Sequence, residues 1–295
     1  MADYILSCCS TTDLNEEVLE GIDVKYLSFT YELDGVSYKD DFGRTIPLDK
    51  FYKAMEDGAD TRTSQISVSD YLDFFTKCME QGYDVLHVCL SSGISGTSNS
   101  ATNAANIASE RYPDRKIYVV DSLAASSGYG LLMQCAAAKR DEGMSIDELH
   151  RWIEENKLYV HHWFFSTDLK FYIKGGRVSK TSGTIATVLG ICPLLHVDVK
   201  GRLIPMAKVR TKKKVIRETV ARMEKYALNG YDYDGPCNIS NSACLEDAEA
   251  VRDLVEEKFP KLKGKVRIYS IGTTIGSHTG PGTVALFFLG EKRED

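Results

Sequence analysis

One stretch limits what this chain can become. From His87 to Ala101 it reads His-Val-Cys-Leu-Ser-Ser-Gly-Ile-Ser-Gly-Thr-Ser-Asn-Ser-Ala. The apolar run Val85 to Leu90 has the length and composition of a buried strand. Gly93 and Gly96 then break it, and Ser98 to Ala108 has helical character. A strand, a Gly/Ser turn and a helix start thus follow one another. At the carboxyl end of a parallel strand, such a turn points backbone amides and the hydroxyls of Ser92, Ser95 and Thr97 at one spot. The positive end of a helix lies behind them, so the spot suits an anion.

Two known motifs nearly match. Gly93-Ile94-Ser95-Gly96-Thr97 would be a nucleophile elbow if Thr97 were Gly. A P-loop is excluded by the missing lysine and the glycine spacing. The plain alternative is a helix capped by hydroxyls at a tight turn.

The rest of the first half has the same rhythm. Tyr4 to Cys9 reads as a strand before the turn Ser10-Thr11-Thr12-Asp13, and Val24 to Leu33 as a second strand ended by Asp34-Gly35. Helical spacing runs from Pro47 to Glu56, and Ser67 or Ser69 can cap a helix through Met79. Ala59 to Ile66 between them reads as a loop. Strand Lys116 to Val120, a helix from Ala125 to Arg140, and a helix opened by the capping box Ser145/Glu148 follow. Such alternation predicts a parallel, doubly wound sheet.

The second half differs. Tyr159 to Phe165 reads as a strand, and Leu169 to Leu189 as a helical stretch interrupted by glycine. Leu194 to Val199 and Leu203 to Val209 flank Lys200-Gly201 as a hairpin. Helices over Lys213 to Tyr226 and Leu245 to Phe259 and strands over Cys237 to Ser240, Val266 to Ile271 and Thr283 to Leu289 complete it. The change sets a domain boundary near residue 160, giving units 1–160 and 161–295. The 295 residues, 43% hydrophobic and 26% charged, are enough for two such globular units.

With a net charge of −6 and no basic run longer than Lys212-Lys213-Lys214, nucleic-acid binding is disfavoured. Met1 to Asp13 lacks a leader's basic and apolar regions, and no apolar run approaches the ~18 residues of a membrane span. A cytoplasmic protein with no stable membrane insertion is expected. The eight cysteines show no C-x-x-C spacing and read as reduced core residues. His161 and His162, neighbours on a strand, point to opposite faces, so no metal site is expected.

Small polar residues gather beside glycine at Thr63-Ser64-Gln65, Ser91 to Thr97, Gly175-Gly176-Arg177 and Ser277 to Gly282. Around one cleft, their hydroxyls, amides and imidazole would hold a carboxylate or phosphate oxygen. Read singly, Thr63-Ser64-Gln65 is a loop and helix cap, His278 a loop histidine, and Arg177 and Arg210 surface arginines. No acid lies near His278 in sequence to make it a catalytic base.

In this order and at these separations, the stretches resemble the DegV family of bacterial fatty-acid-binding proteins. The resemblance rests on Ser10 to Leu14, Thr63-Ser64-Gln65, Ser91 to Thr97 with Ser100-Ala101, Asp121-Ser122, Leu169 to Val178, Ile191 to Leu195, Lys208-Val209-Arg210 and His278 to Gly282. It covers nearly the whole chain. It implies a two-domain α/β fold: a parallel, doubly wound N-terminal sheet and an α/β C-terminal domain with a mixed sheet. It also implies a bound long-chain fatty acid, with Thr63, Ser64, Ser95, the Gly96 backbone and His278 around its carboxylate, and no cofactor. The chain would then be the acyl-carrying partner of a fatty acid kinase that makes the acyl phosphate, met through Arg177 and Arg210. Three departures stand out: Cys9 where the family usually has Asp, Ile66 where Pro usually follows Thr-Ser-Gln, and Cys192 where Lys is common. The competing reading is a Ser95/His278 hydrolase or acyl transferase on the same scaffold.

Overall fold

The computed structural model describes residues 4–179 and 190–294. Its first half is built on β1 (Tyr4–Cys9), β2 (Lys25–Leu27), β6 (Asp84–Cys89) and β7 (Ile117–Asp121), a parallel sheet in the order β2-β1-β6-β7. Both faces of β6 are covered, and it is buried from Val85 to Cys89. On one face lie α3 (Val68–Glu80) and α4 (Thr97–Arg111), with Tyr71 and Phe75 of α3 edge-on to His87. On the other lie α5 (Ser126–Asp141) and α6 (Ile146–Asn156). The Ser145/Glu148 capping box starts α6, and Ser67 forms another with Asp70 at α3.

The expected strand Val24 to Leu33 divides. After β2 the chain leaves the parallel sheet, and β3 (Thr30–Leu33) pairs antiparallel with both β4 (Val36–Lys39) and β5 (Thr61–Ser64). The stretch read as a loop, Ala59 to Ile66, therefore contains a strand. Helices α1 (Glu16–Gly21) and α2 (Leu48–Glu56) complete this half, and Phe51, Tyr52 and Met55 of α2 form a small core with Tyr31 of β3.

A six-stranded mixed sheet organises the second half. Its order is β10 (Leu203–Arg210), β9 (Ile191–Val197), β8 (Val160–Ser166), β13 (Thr283–Leu289), β11 (Cys237–Asn241), β12 (Arg267–Ser270). Only the β11–β12 pair is parallel. Phe165, Leu286 and Phe288 face a core closed by α8 (Lys212–Tyr226) and α9 (Leu245–Lys258). Phe164, Leu195 and Phe287 face the other way and join the core of the parallel sheet. A cavity lies on that side.

Two short helices flank it, α7 (Lys170–Lys174) and α10 (Thr273–Thr279). The polar stretch from Ser277 thus begins inside a helix, so His278 is not a loop residue. Of the helical stretch read over Leu169 to Leu189, residues 180–189 lie outside the described residues.

Candidate functional site

The cavity holds about 320 Å³. Phe29, Leu90, Phe164, Leu203, Ile271 and Phe287 supply apolar wall, and Thr63, Gln65, Ser95, Gly96, Arg177 and His278 also line it. Residues from both sheets and from β5, α7's flank and α10 therefore meet around one space.

Strand alternation decides what β5 contributes. Thr61 and Thr63 face α10, where the Thr61 hydroxyl donates to Ser277 O at 3.4 Å and Thr63 Oγ1 lies 2.7 Å from His278 Nε2. Ser64 is on the opposite face, exposed and outside the cavity lining. That alternation turns its side chain away from the other expected ligands.

Arg177 Nη1 donates to His278 Nδ1 at 3.2 Å, while its Nε donates to Ile94 O at 3.1 Å and Nη1 to Gly175 O at 2.7 Å. Arginine can only donate, so Nδ1 is the acceptor and the ring proton sits on Nε2. Nε2–H then donates to Thr63 Oγ1, leaving the threonine proton free to point into the cavity. Burial, with the neighbouring Arg177 charge, lowers the His278 pKa to about 3, so the imidazole is neutral. The Gly-Gly before Arg177 has a steric cause. A Cβ on Gly175 would overlap His278 Nδ1, and Gly176 has φ +73°.

These contacts correct the expectation that Arg177 lies on the surface. Arg177 is partly buried and turned onto the cavity, not laid out on the surface. Arg210 is exposed at the end of the edge strand β10, opposite Ile191, and does not line the cavity.

At the turn after β6, Ser95 Oγ accepts from Thr97 N at 3.2 Å. Gly96 is exposed and lies against Gln65, where a Cβ would overlap the amide oxygen. Gln65 Nε2 in turn donates to Ser100 Oγ at 2.8 Å, tying β5's end to α4. The sequence marked Thr63-Ser64-Gln65 as polar, but nothing in it distinguished Gln65 as the brace.

Cys9 lies beneath this turn without lining the cavity. Its Sγ is 3.3 Å from the Tyr71 hydroxyl, and Tyr71 is 2.7 Å from Thr97 Oγ1. Cys192 faces the α8/α9 core, and Ile66 is buried in the core of the parallel sheet.

Two acids hold α10 at its start. Asp13 accepts from Gly272 N at 2.9 Å and from Ser126 Oγ at 2.5 Å. Asp40 accepts from Thr273 Oγ1 at 2.9 Å and from Ser10 Oγ at 3.2 Å. Tyr52 donates to Ile271 O at 2.7 Å. Burial raises the Asp13 pKa to about 8 and that of Asp40 in the same direction. Among the described residues no cluster of His, Cys, Asp or Glu could hold a metal ion, and no helix is long and apolar enough to cross a membrane.

A parallel sheet and a mixed sheet enclosing an apolar cavity, with hydroxyls and a neutral imidazole gathered at one part of its wall, define a ligand-binding α/β protein. The chain belongs to the DegV family, whose model, described as an uncharacterised protein of that family, matches residues 9–291. A DegV domain-containing protein of Clostridium perfringens is 35% identical over 294 residues, 100% of both chains. A Thermotoga maritima structure described as revealing fatty acid binding function is 27% identical, covers 98% of this chain and 100% of its own, and superposes with a TM-score of 0.82. A fatty acid binding DegV family protein from Streptococcus agalactiae is 27% identical, with 99% and 100% coverage and a TM-score of 0.83.

Proposed function

We propose that the cavity holds one long-chain fatty acid, its tail among Leu90, Phe164 and Phe287 and its carboxylate at Thr63, Ser95, the Gly96 amide and His278. The observation that carries this is the directed chain Arg177 to His278 to Thr63, ending at a free hydroxyl proton beside apolar wall. Hydrogen bonds to a carboxylate contribute about 1.5–3 kcal/mol each, so a few uncharged donors are enough to hold it. The fatty-acid binding described for the Thermotoga and Streptococcus relatives supports the same ligand.

Gly96 is exposed, so a carboxylate placed there is open to a second protein. On this reading the chain is a cytoplasmic carrier without chemistry of its own, and a separate fatty acid kinase phosphorylates the presented carboxylate to an acyl phosphate. Arg210, exposed at the end of the edge strand β10, is the contact we assign to the kinase; Arg177 serves the ligand first. The hydrolase alternative asks His278 to be a base for Ser95. Its two ring nitrogens are engaged by Thr63 and Arg177, and an imidazole lowered to about 3 is a poor base at neutral pH.

Mass spectrometry of the purified, denatured protein tests the ligand directly. A co-purifying long-chain fatty acid is expected; its absence, together with no binding of labelled fatty acid by the purified protein, would overturn the reading.

A further inference from the structure

Cys9, His87 and Cys89 all lie on the α3 side of the parallel sheet and none of them lines the cavity. β1 and β6 run in register with Ser7 beside His87, and the same register carries Cys9 beside Cys89 at the strand ends. Residues so placed share one face of the sheet. Each thiol lies close enough to shift the ionisation of the other. Neighbouring strands lie about 4.8 Å apart, inside the ~4.4–6.8 Å Cα separation that a disulfide spans. Cys9 Sγ is also 3.7 Å from His87 Nε2, and Ser7 Oγ, 2.9 Å from Nδ1, orients that ring.

A cysteine that merely fills volume needs no such company. Burial pushes the Cys9 thiol up, but Cys89, His87 and Tyr71 around its sulfur outweigh burial and hold it well below the usual thiol value. Burial drives Cys89 the other way. With the His87 ring 3.7 Å from its sulfur, Cys9 is placed as the nucleophile and Cys89, on the neighbouring strand, as the resolving thiol. The couple is buried, both cysteines being 0% exposed, which excludes a bulky oxidant.

We propose that Cys9 and Cys89 form a reversible dithiol–disulfide couple oxidised by a small hydroperoxide. The Cys9 sulfur attacks the peroxide: an S–O bond forms, the O–O bond breaks, and the leaving oxygen takes the proton that the Cys9 thiol gives up. The Cys89 sulfur then attacks the Cys9 sulfenic acid. The S–S bond forms, the S–O bond breaks, and water departs with the Cys89 proton. In sum, two thiols are oxidised and one hydroperoxide is reduced to an alcohol, or to water, with a further water.

Closing the disulfide draws Cys9 away from Tyr71, whose hydroxyl holds Thr97 at the start of α4. Oxidation therefore loosens the anion turn, a consequence that rests on the fatty-acid reading; the couple itself does not.

The test uses the reduced full chain, hydrogen peroxide, denaturing alkylation and a non-reducing peptide map. A Cys9 peptide joined to a Cys89 peptide is expected, lighter by two hydrogens than the free thiols and released by dithiothreitol. Both thiols still alkylating in full after the partly exposed Cys135 and Cys244 have been oxidised would overturn the couple. In Cys89→Ala, dimedone should trap Cys9 as its sulfenic acid; an unmodified Cys9 there would overturn the assignment of nucleophile. Labelled fatty acid should bind the oxidised form about tenfold more weakly, the loss of roughly one hydrogen bond. Equal affinity with the linked peptide present would overturn the effect on the turn, whereas no binding by either form would overturn the fatty-acid reading and leave the couple standing.

Discussion

Because the guanidinium of Arg177 cannot accept, it fixes the tautomer of His278 and, through it, the direction of the Thr63 proton. The same logic makes Arg177 and Arg210 unequal. Arg177→Ala frees His278 Nδ1 and lets the ring turn, so affinity for labelled fatty acid should fall; Arg210→Ala should leave it unchanged and slow acyl-phosphate formation by an added kinase. Equal affinities for the parent and Arg177→Ala would show that the ligand does not use the relay. Ser95→Ala should weaken binding by about 1.5–3 kcal/mol, read by titration, with the fold intact. Hydroxyls beside glycine are visible as residue types and marked the polar stretches, and the DegV resemblance singled out Thr63, Ser95, Gly96 and His278 within them, which the structure brings to one cavity. It did not show which way Ser64 and Arg177 face: the first depends on β5 being a strand, the second on His278 packing against Gly175.

The element that brings His278 into place is α10, and its start is fastened by two buried acids. Asp13 has a folded-state pKa of about 8 against an unfolded value near 3.9, so between those values the folded chain binds a proton that the unfolded chain does not. Stability from this group is complete below about pH 4 and is lost as pH rises toward 8, by at most about 1.4 kcal/mol per pH unit. Asp40, raised in the same direction, adds to that slope, and the nearby Tyr52 hydroxyl stays neutral throughout. Asp13→Asn keeps an acceptor for Gly272 N and removes the titration. The parent should lose stability relative to this variant in urea unfolding between pH 5 and pH 8, and parallel curves would mean that Asp13 is ionised at neutral pH. Long elements with periodic faces and caps, such as α3 and α6, were legible in the sequence. The split between β2 and β3 was not, because Ser28 and Phe29 carry no turn signal and the change of sheet is decided by distant partners. Nor was α10, seven residues long, with Gly272 as its N-cap and no side-chain cap.

At the scale of the molecule, the cavity separates parts of two sheets that would otherwise close on each other. Leu90 comes from the strand end of one, Phe164 and Phe287 from the inner face of the other. A fatty-acid tail filling that space replaces missing core, each buried methylene contributing about 0.8 kcal/mol before the cost of ordering. A ligand that binds only the folded state stabilises it by RT ln(1 + [L]/Kd), about 2.7 kcal/mol at a hundredfold excess over Kd. For a chain of this size that corresponds to roughly 5 °C in melting temperature. Delipidated protein should therefore melt about that much lower and recover with palmitate or oleate. Acetate or butyrate should restore little, since a short acid occupies the hydroxyls and imidazole but leaves the apolar wall without a partner. If, after lipid removal is verified, the melting curves coincide with and without long-chain acid, the space between the sheets is not a lipid cavity, and the carboxylate-binding residues must serve a smaller ligand.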